Sequence, residues 1–193
     1  MGLGYTSYTI VHRATVEEPL SKWYNEVSDY SGFGLHAHTT QLYKRHTGGQ
    51  AMNTAKTIGK GTHVWNPELS NIQQCYIGED CRIHSNVWIG DDVVIGDRCK
   101  VQAMCFIPTG VTLGDDVFLG PGVVFTNDKY PPSGQWSHTA VEDGVSIGAN
   151  ATILPGITLH ANCRVGAGSV VTKDVPSGVV VCGNPAKIHN KKL

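Results

Sequence analysis

Residues 77–96 read Ile77-Gly78-Glu79-Asp80-Cys81-Arg82-Ile83-His84-Ser85-Asn86-Val87-Trp88-Ile89-Gly90-Asp91-Asp92-Val93-Val94-Ile95-Gly96. An aliphatic side chain stands at every sixth position, glycine often follows it, and a small residue comes four places later. The ladder continues through Val101, Ile107, Leu113 and Leu119 to Phe125, and the same period resumes at Val141, Ile147, Ile153, Leu159, Val165 and Val171. A period of six fits neither the 3.6 of a helix nor the 2 of a long strand. It fits a short strand plus a turn, three of which close a coil of roughly eighteen residues. The large aliphatic fills the inside of each face, the small residue fills the corner, and glycine tolerates the turn dihedrals. Backbone groups then pair between coils, which lie about 4.8 Å apart. The expected class is all-β, a parallel β-helix; a Gly-rich antiparallel sandwich does not keep one period over so many units.

The 193 residues carry a formal net charge of −1, and 16% are charged. No basic block points to nucleic acid, and no acidic tail points to a solvated arm. No signal peptide and no membrane-length apolar run is read, which predicts a cytoplasmic protein without a membrane partner. Cys81, Cys99, Cys105 and Cys163 share the small-residue slot of the ladder. They read as buried, reduced thiols acting as small hydrophobes, with no metal site implied. Before Ile77 the spacing slips, although Ile58-Gly59 and Val64 look like earlier turns. Thr15-Val16-Glu17-Glu18 reads as a capping box ahead of Leu20, Trp23, Tyr24 and Val27 at helical spacing. The expected organisation is an extension over residues 1–55, with a short helix capping the solenoid, followed by the β-helix over residues 56–193.

A regular repeat is a scaffold, so chemistry is sought where the pattern is broken. One polar, aromatic loop is ejected over residues 126–140, beginning Thr126-Asn127-Asp128-Lys129-Tyr130-Pro131-Pro132. His84 and Gln102 replace glycine in its slot one coil apart, with Asn86 and Met104 as the neighbouring pair. A histidine on such a face can be simply solvated; stacked on Gln102 it becomes a pocket candidate. The third break is the C-terminal run Val165-Gly166-Ala167-Gly168-Ser169-Val170-Val171-Thr172-Lys173-Asp174-Val175-Pro176, followed by Gly183-Asn184-Pro185-Ala186-Lys187. It offers bare backbone N–H groups and two lysines to phosphates.

The C-terminal run resembles the CoA-binding end of hexapeptide-repeat acyltransferases, the left-handed β-helix family. Lys100-Val101-Gln102, Phe106-Ile107-Pro108, the stretch 114–121 and Phe125-Thr126-Asn127-Asp128-Lys129-Tyr130-Pro131-Pro132 resemble more narrowly the N-acetyltransferases of nucleotide-linked amino sugars, especially those acting on a 3-amino group. The resemblance covers residues 58–193. The chain departs from it at Ala103-Met104, where many sugar-branch relatives carry Asn-Asn, and at Gly122, where others carry His.

The resemblance implies a left-handed coil, acetyl-CoA as cosubstrate, no metal, and a homotrimer with sites between subunits. It implies cofactor contacts from Gly166, Ala167, Ser169, Lys173, Pro185 and Lys187. The acceptor, a nucleotide-linked amino sugar, would meet Gln102, Asn86, Lys129 and Tyr130. His84, Asp128 and Asn127 are the catalytic candidates; His84 or Asp128 could take the amine's proton, or the amine could arrive neutral. Two alternatives share the fold: an O-acetyltransferase acting on serine or a small sugar or xenobiotic hydroxyl, and a non-catalytic assembly subunit. A three-histidine zinc enzyme does not suit the spacing, because Gly120 stands two coils beyond His84.

Overall fold

The computed structural model describes residues 55–189; the expected helix at 15–27, and nearly all of the proposed 1–55 extension, lie outside the described residues. Residues 55–189 form the expected β-helix, a three-faced parallel solenoid of left-handed type. Face one stacks Thr57–Ile58, Tyr76–Ile77, Val94–Ile95, Val111–Leu113, Thr139–Val141 and Thr158–Leu159. Face two stacks His63–Val64, Arg82–Ile83, Lys100–Val101, Phe118–Leu119, Ser146–Ile147, Arg164–Val165 and Val180–Cys182, and the antiparallel strand Lys187–Ile188 closes it. Face three stacks Asn71–Ile72, Trp88–Ile89, Phe106–Ile107, Val124–Phe125, Thr152–Ile153 and Val170–Val171.

The second residue of each two-residue strand points inward. Ile83, Ile89, Ile107, Leu119, Ile147 and Ile153 are fully buried, and the corner residues Cys81, Val93, Cys99 and Val123 are equally closed off. The register Ile77↔Ile95 and Ile83↔Val101 fixes eighteen residues per coil (95 − 77 = 18). Where Leu113 pairs with Val141 the offset is 28, so ten extra residues (28 − 18) leave the prism. Thr139–Val141 is already back on face one, which shortens the expected loop to residues 126–138. The irregular spacing before Ile77 also resolves: a 3-10 turn at Pro67–Leu69 widens one corner of the first coil.

The glycine slot has a different cause from the expected one. Gly78, Gly96, Gly114, Gly120, Gly148 and Gly166 do not have positive φ. They are required by stacking: a Cβ on Gly120 would stand 2.6 Å from the backbone nitrogen of Ala149, and one on Gly148 would stand 2.5 Å from that of Ala167. The left-handed turn position falls two residues later, where Asp80, Asn86, Asp92, Asp116, Asn150 and Asn162 sit. At the edge between faces one and two, carboxylates tie the coils together. Asp97, Asp115 and Asp143 accept the N–H groups of Glu79, Asp97 and Asp115 at 2.7–2.8 Å.

Candidate active site

The edge between faces two and three is divided into two halves by its side chains. In the lower coils it carries Trp65, then His84-Ser85-Asn86, then Gln102-Ala103-Met104. In the upper coils it is nearly bare: Gly120-Pro121-Gly122, Gly148-Ala149-Asn150 and Gly166-Ala167-Gly168. Three coils at about 4.8 Å each make a runway of roughly 14 Å, floored by backbone and ending at Gln102 and His84. The pairing Ile83↔Val101 places Gln102 directly above His84, as the spacing predicts. Sequence reading missed what lies beneath. The Trp65 indole stacks on the His84 ring at 4.6 Å and 16°, and His63 meets Trp65 edge-on at 4.2 Å. Trp65 lies in the phase-slipped first coil, so no hexad count could align it.

Gly183–Ala186 folds over the top of this edge. Val170 N–H donates to Gly183 O at 2.9 Å and Ala186 N–H donates to Val170 O at 2.8 Å. Pro185 and Lys187 thereby end up at the upper end of the runway that Gly166 and Ala167 line. Ser169 is the exception and corrects the expected cofactor contact: its side chain is fully buried, and its hydroxyl accepts the Gly183 N–H at 3.1 Å. It holds the C-terminal segment in place.

The loop leaves at a different edge, between faces three and one. Asn127 is anchored there, its Nδ2 donating to Thr109 O at 3.0 Å. Asp128 organises the turn that follows. Its carboxylate accepts the Ser133 hydroxyl at 2.6 Å, the Tyr130 and Ser133 N–H groups at 2.9 and 2.8 Å, and the Gly134 N–H at 3.3 Å. These donors, the Ser133 hydroxyl first, hold its pKa below the usual carboxylate range. Such a group stays ionised and is a weak base, so of the two proton acceptors the sequence offers, the geometry disfavours Asp128. Lys129 and Tyr130 stand beyond it on the exposed tip. Loop and coils enclose a groove of about 590 Å³, lined by Thr126, Asp128, Lys129, Leu154, Thr172 and Lys173.

The site residues therefore fall into two sets. His84, Asn86, Gln102, Gly166 and Ala167, with Pro185 and Lys187 above them, belong to one edge; Asn127, Asp128, Lys129, Tyr130 and Lys173 belong to the other. A single prism does not bring His84 to the loop, and the two lysines of the C-terminal run part company. Both edges border face three, whose outward residues are Asn71, Trp88, Phe106, Val124, Thr152 and Val170. Trp88 and Phe106 stack on it at 4.7 Å. Face two instead presents Arg82, Lys100 and Arg164. His138 lies at the loop's return, hydrogen-bonded to Thr112 at 2.7 Å, and His160 pairs with Glu142 at 2.9 Å on the third edge. The histidines are thus dispersed, and among the described residues no cluster could hold a metal ion.

Residues 74–109, 92–127 and 138–173 match the family model described as bacterial transferase hexapeptide (six repeats). A 72-residue segment is 51% identical to a 2,3,4,5-tetrahydropyridine-2,6-dicarboxylate N-acetyltransferase of Clostridium perfringens. That match covers 37% of this chain and 30% of the relative, so it spans under a third of the curated protein. Among solved structures, a GDP-perosamine N-acetyltransferase from Caulobacter crescentus, in complex with CoA and GDP-perosamine, superposes with a TM-score of 0.55 at 25% identity. The superposition covers 69% of this chain and 57% of that one. The N-acyltransferase AntD from Bacillus cereus, in complex with dTDP and CoA, gives a TM-score of 0.59 over 80% of this chain and 89% of that one. At 17% identity, that last likeness is one of fold.

Proposed function

We propose that this chain, which belongs to the bacterial hexapeptide-repeat transferases, is a CoA-dependent N-acetyltransferase that acetylates the amine of a nucleotide-linked amino sugar. The observation that carries the reading is the bare edge from Gly166-Ala167-Gly168 down to Gln102 and His84. Its length suits an extended pantetheine arm, and it ends on His84 and Gln102, the two polar replacements of glycine along this edge. Pro185 and Lys187 at its head suit the phosphate-bearing end of CoA. The perosamine enzyme, which shares this fold with CoA and a nucleotide-linked amino sugar bound, supports the same acceptor class.

In the reaction the amine lone pair attacks the thioester carbonyl carbon, the C–N bond forms, and the C–S bond breaks. The proton shed by nitrogen leaves through His84 and ends on the departing CoA thiolate. Backbone N–H groups along the edge stabilise the oxyanion, and holding the two reactants in line supplies several kcal/mol. Asp128 stays ionised and contributes charge: it steadies the positive charge that develops on nitrogen as the neutral amine attacks. Asn127 fixes the root of the loop that carries it. Gln102, Asn86, Lys129 and Tyr130 are the acceptor contacts, and Lys173 meets CoA or nucleotide phosphates from the groove.

The two sets must meet between chains. Face three lies between their edges and carries the stacked Trp88–Phe106 pair with Val124 and Val170. A threefold assembly about this face places the His84 edge of one copy beside the loop edge of the next, completing three equivalent sites. A second acceptor class, a small dicarboxylic amine, is favoured by the 51% identical segment of the tetrahydropyridine-dicarboxylate enzyme. Acetyl-CoA consumption measured with dTDP- and GDP-linked 3- and 4-amino sugars, and with that dicarboxylate, separates the two. Turnover with a sugar nucleotide alone is expected; turnover with the dicarboxylate alone replaces the acceptor, and free CoA that fails to bind removes the reading.

A further inference from the structure

Nine non-glycine residues among those described have positive φ, and seven of them are Asn or Asp, which tolerate that conformation. The exceptions are Arg98 and Met104. Arg98 is compensated: its guanidinium donates to Asp116 at 2.9 and 2.8 Å and to Asp115 at 3.1 Å. Met104 has no such return. It sits at φ 63° with 63% of its surface exposed, an apolar side chain held in both an unfavoured backbone and water. Its inter-coil hydrogen bond, N–H to Ser85 O, is 3.4 Å long, whereas those of Gly122, Asn150 and Gly168 in the same column are 2.8–2.9 Å. Local cost without local gain marks a residue kept for what it touches in action.

Its place says what that is. Descending the column, the left-handed positions are Gly168, Asn150, Gly122 and then Met104. Met104 is the first of these left-handed positions to carry an apolar side chain, beside Gln102 and one coil above Asn86. We propose that Met104 is the acyl-length gauge of the enzyme: its unbranched thioether closes the foot of the runway against the methyl of the acetyl group and excludes longer acyl chains. This rests on the reading that CoA lies along the edge between faces two and three. An acyl chain two carbons longer would have to occupy the volume of the Met104 side chain; Gly122, one coil higher, carries no side chain of its own, and the Asn150 carboxamide oxygen covers the place its Cβ would take.

The test uses the full chain and calorimetric binding of acetyl-CoA and butyryl-CoA, so the acceptor's identity does not enter. Wild-type protein is expected to prefer acetyl-CoA by about ten-fold or more, the scale at which a pocket rejects extra methylenes. In Met104→Gly and Met104→Asn the preference should fall to within about three-fold, a fraction of that rejection. Both replacements suit the backbone, so Tm should hold or rise, and a folding defect cannot imitate the result. An unchanged acetyl-to-butyryl ratio in both variants overturns the gauge. Ala167→Trp tests the path separately by blocking the edge above. If CoA binds this variant as tightly as wild type, the path is wrong and the gauge goes with it. If CoA binding is lost there while the ratio is unmoved in the Met104 variants, the path stands and only the gauge falls.

Discussion

Asp128 illustrates how one carboxylate can be read two ways. As sequence it is an acidic residue at the mouth of an insertion, a natural base. In the folded loop it accepts four donors, and the charge they favour is one it does not give up easily. Its folded-state pKa lies below the ordinary value, so its contribution to loop order is complete above the usual carboxylate range and lost as pH falls through the lower folded value. The protection of the Ser133 amide, its exchange relative to an unstructured amide at the same pH, should therefore fall on acidification, and Asp128→Asn should lack that protection already at neutral pH. The same variant should lose roughly ten- to a thousand-fold in turnover at saturating acetyl-CoA, the range for removing an electrostatic group. A Ser133 amide that stays as protected in the variant as in the wild type, or full turnover, would count against this role. Three of the buried thiols are quiet by contrast: burial pushes Cys105 and Cys163 up to about 11 and Cys75 up to about 12, leaving them protonated and unreactive at neutral pH.

At the scale of one strand and its turn, the most regular hexads are held by three things: an inward aliphatic, a stacking glycine and an Asx turn. The glycine is the least forgiving. Gly148→Ala would press a methyl against the Ala167 backbone at 2.5 Å, and neither partner is a flexible side-chain end. A loss of about 1–3 kcal/mol is expected for such overpacking, readable as a lower midpoint in urea with the slope unchanged. An unchanged midpoint would mean the coils can part at no cost. His84 and Gln102 occupy this same slot on the edge between faces two and three. The loop follows the opposite logic, with polar ties at its root and turn replacing an apolar interior.

For the molecule as a whole, the decisive feature is that the candidate site is split across two edges of one face. Association about face three is expected to give a particle close to three times the chain mass of 20.8 kDa. Phe106→Asp places a charge in the centre of that face while leaving the inward ladder untouched. Light scattering should then report a smaller species, with the far-ultraviolet spectrum of the β-helix retained and acetyl transfer lost. A variant that dissociates yet keeps full activity would show that one chain holds a whole site.

The β-helix was legible in the sequence because its period is enforced at every coil: an interior open only to large aliphatics and corners open only to small residues repeat at fixed spacing. That is why the period by itself orders Ile77 through Val171 and sets His84 under Gln102. Period carries no information about handedness, which came from resemblance, or about why a slot is glycine. The coil-to-coil approach at Gly120 and Gly148 is a distance between residues far apart in the chain, and only the folded state supplies it. The same holds for Trp65 beneath His84, reached across a 3-10 turn that breaks the count, and for Ser169, whose hydroxyl turns inward to the Gly183 N–H. Ser133 closing on Asp128 is a matter of loop conformation, which no periodicity constrains. Sequence named most of the candidate residues because they interrupt a pattern; tertiary structure assigned them to two edges, because which corner a residue occupies depends on how each insertion is absorbed in three dimensions.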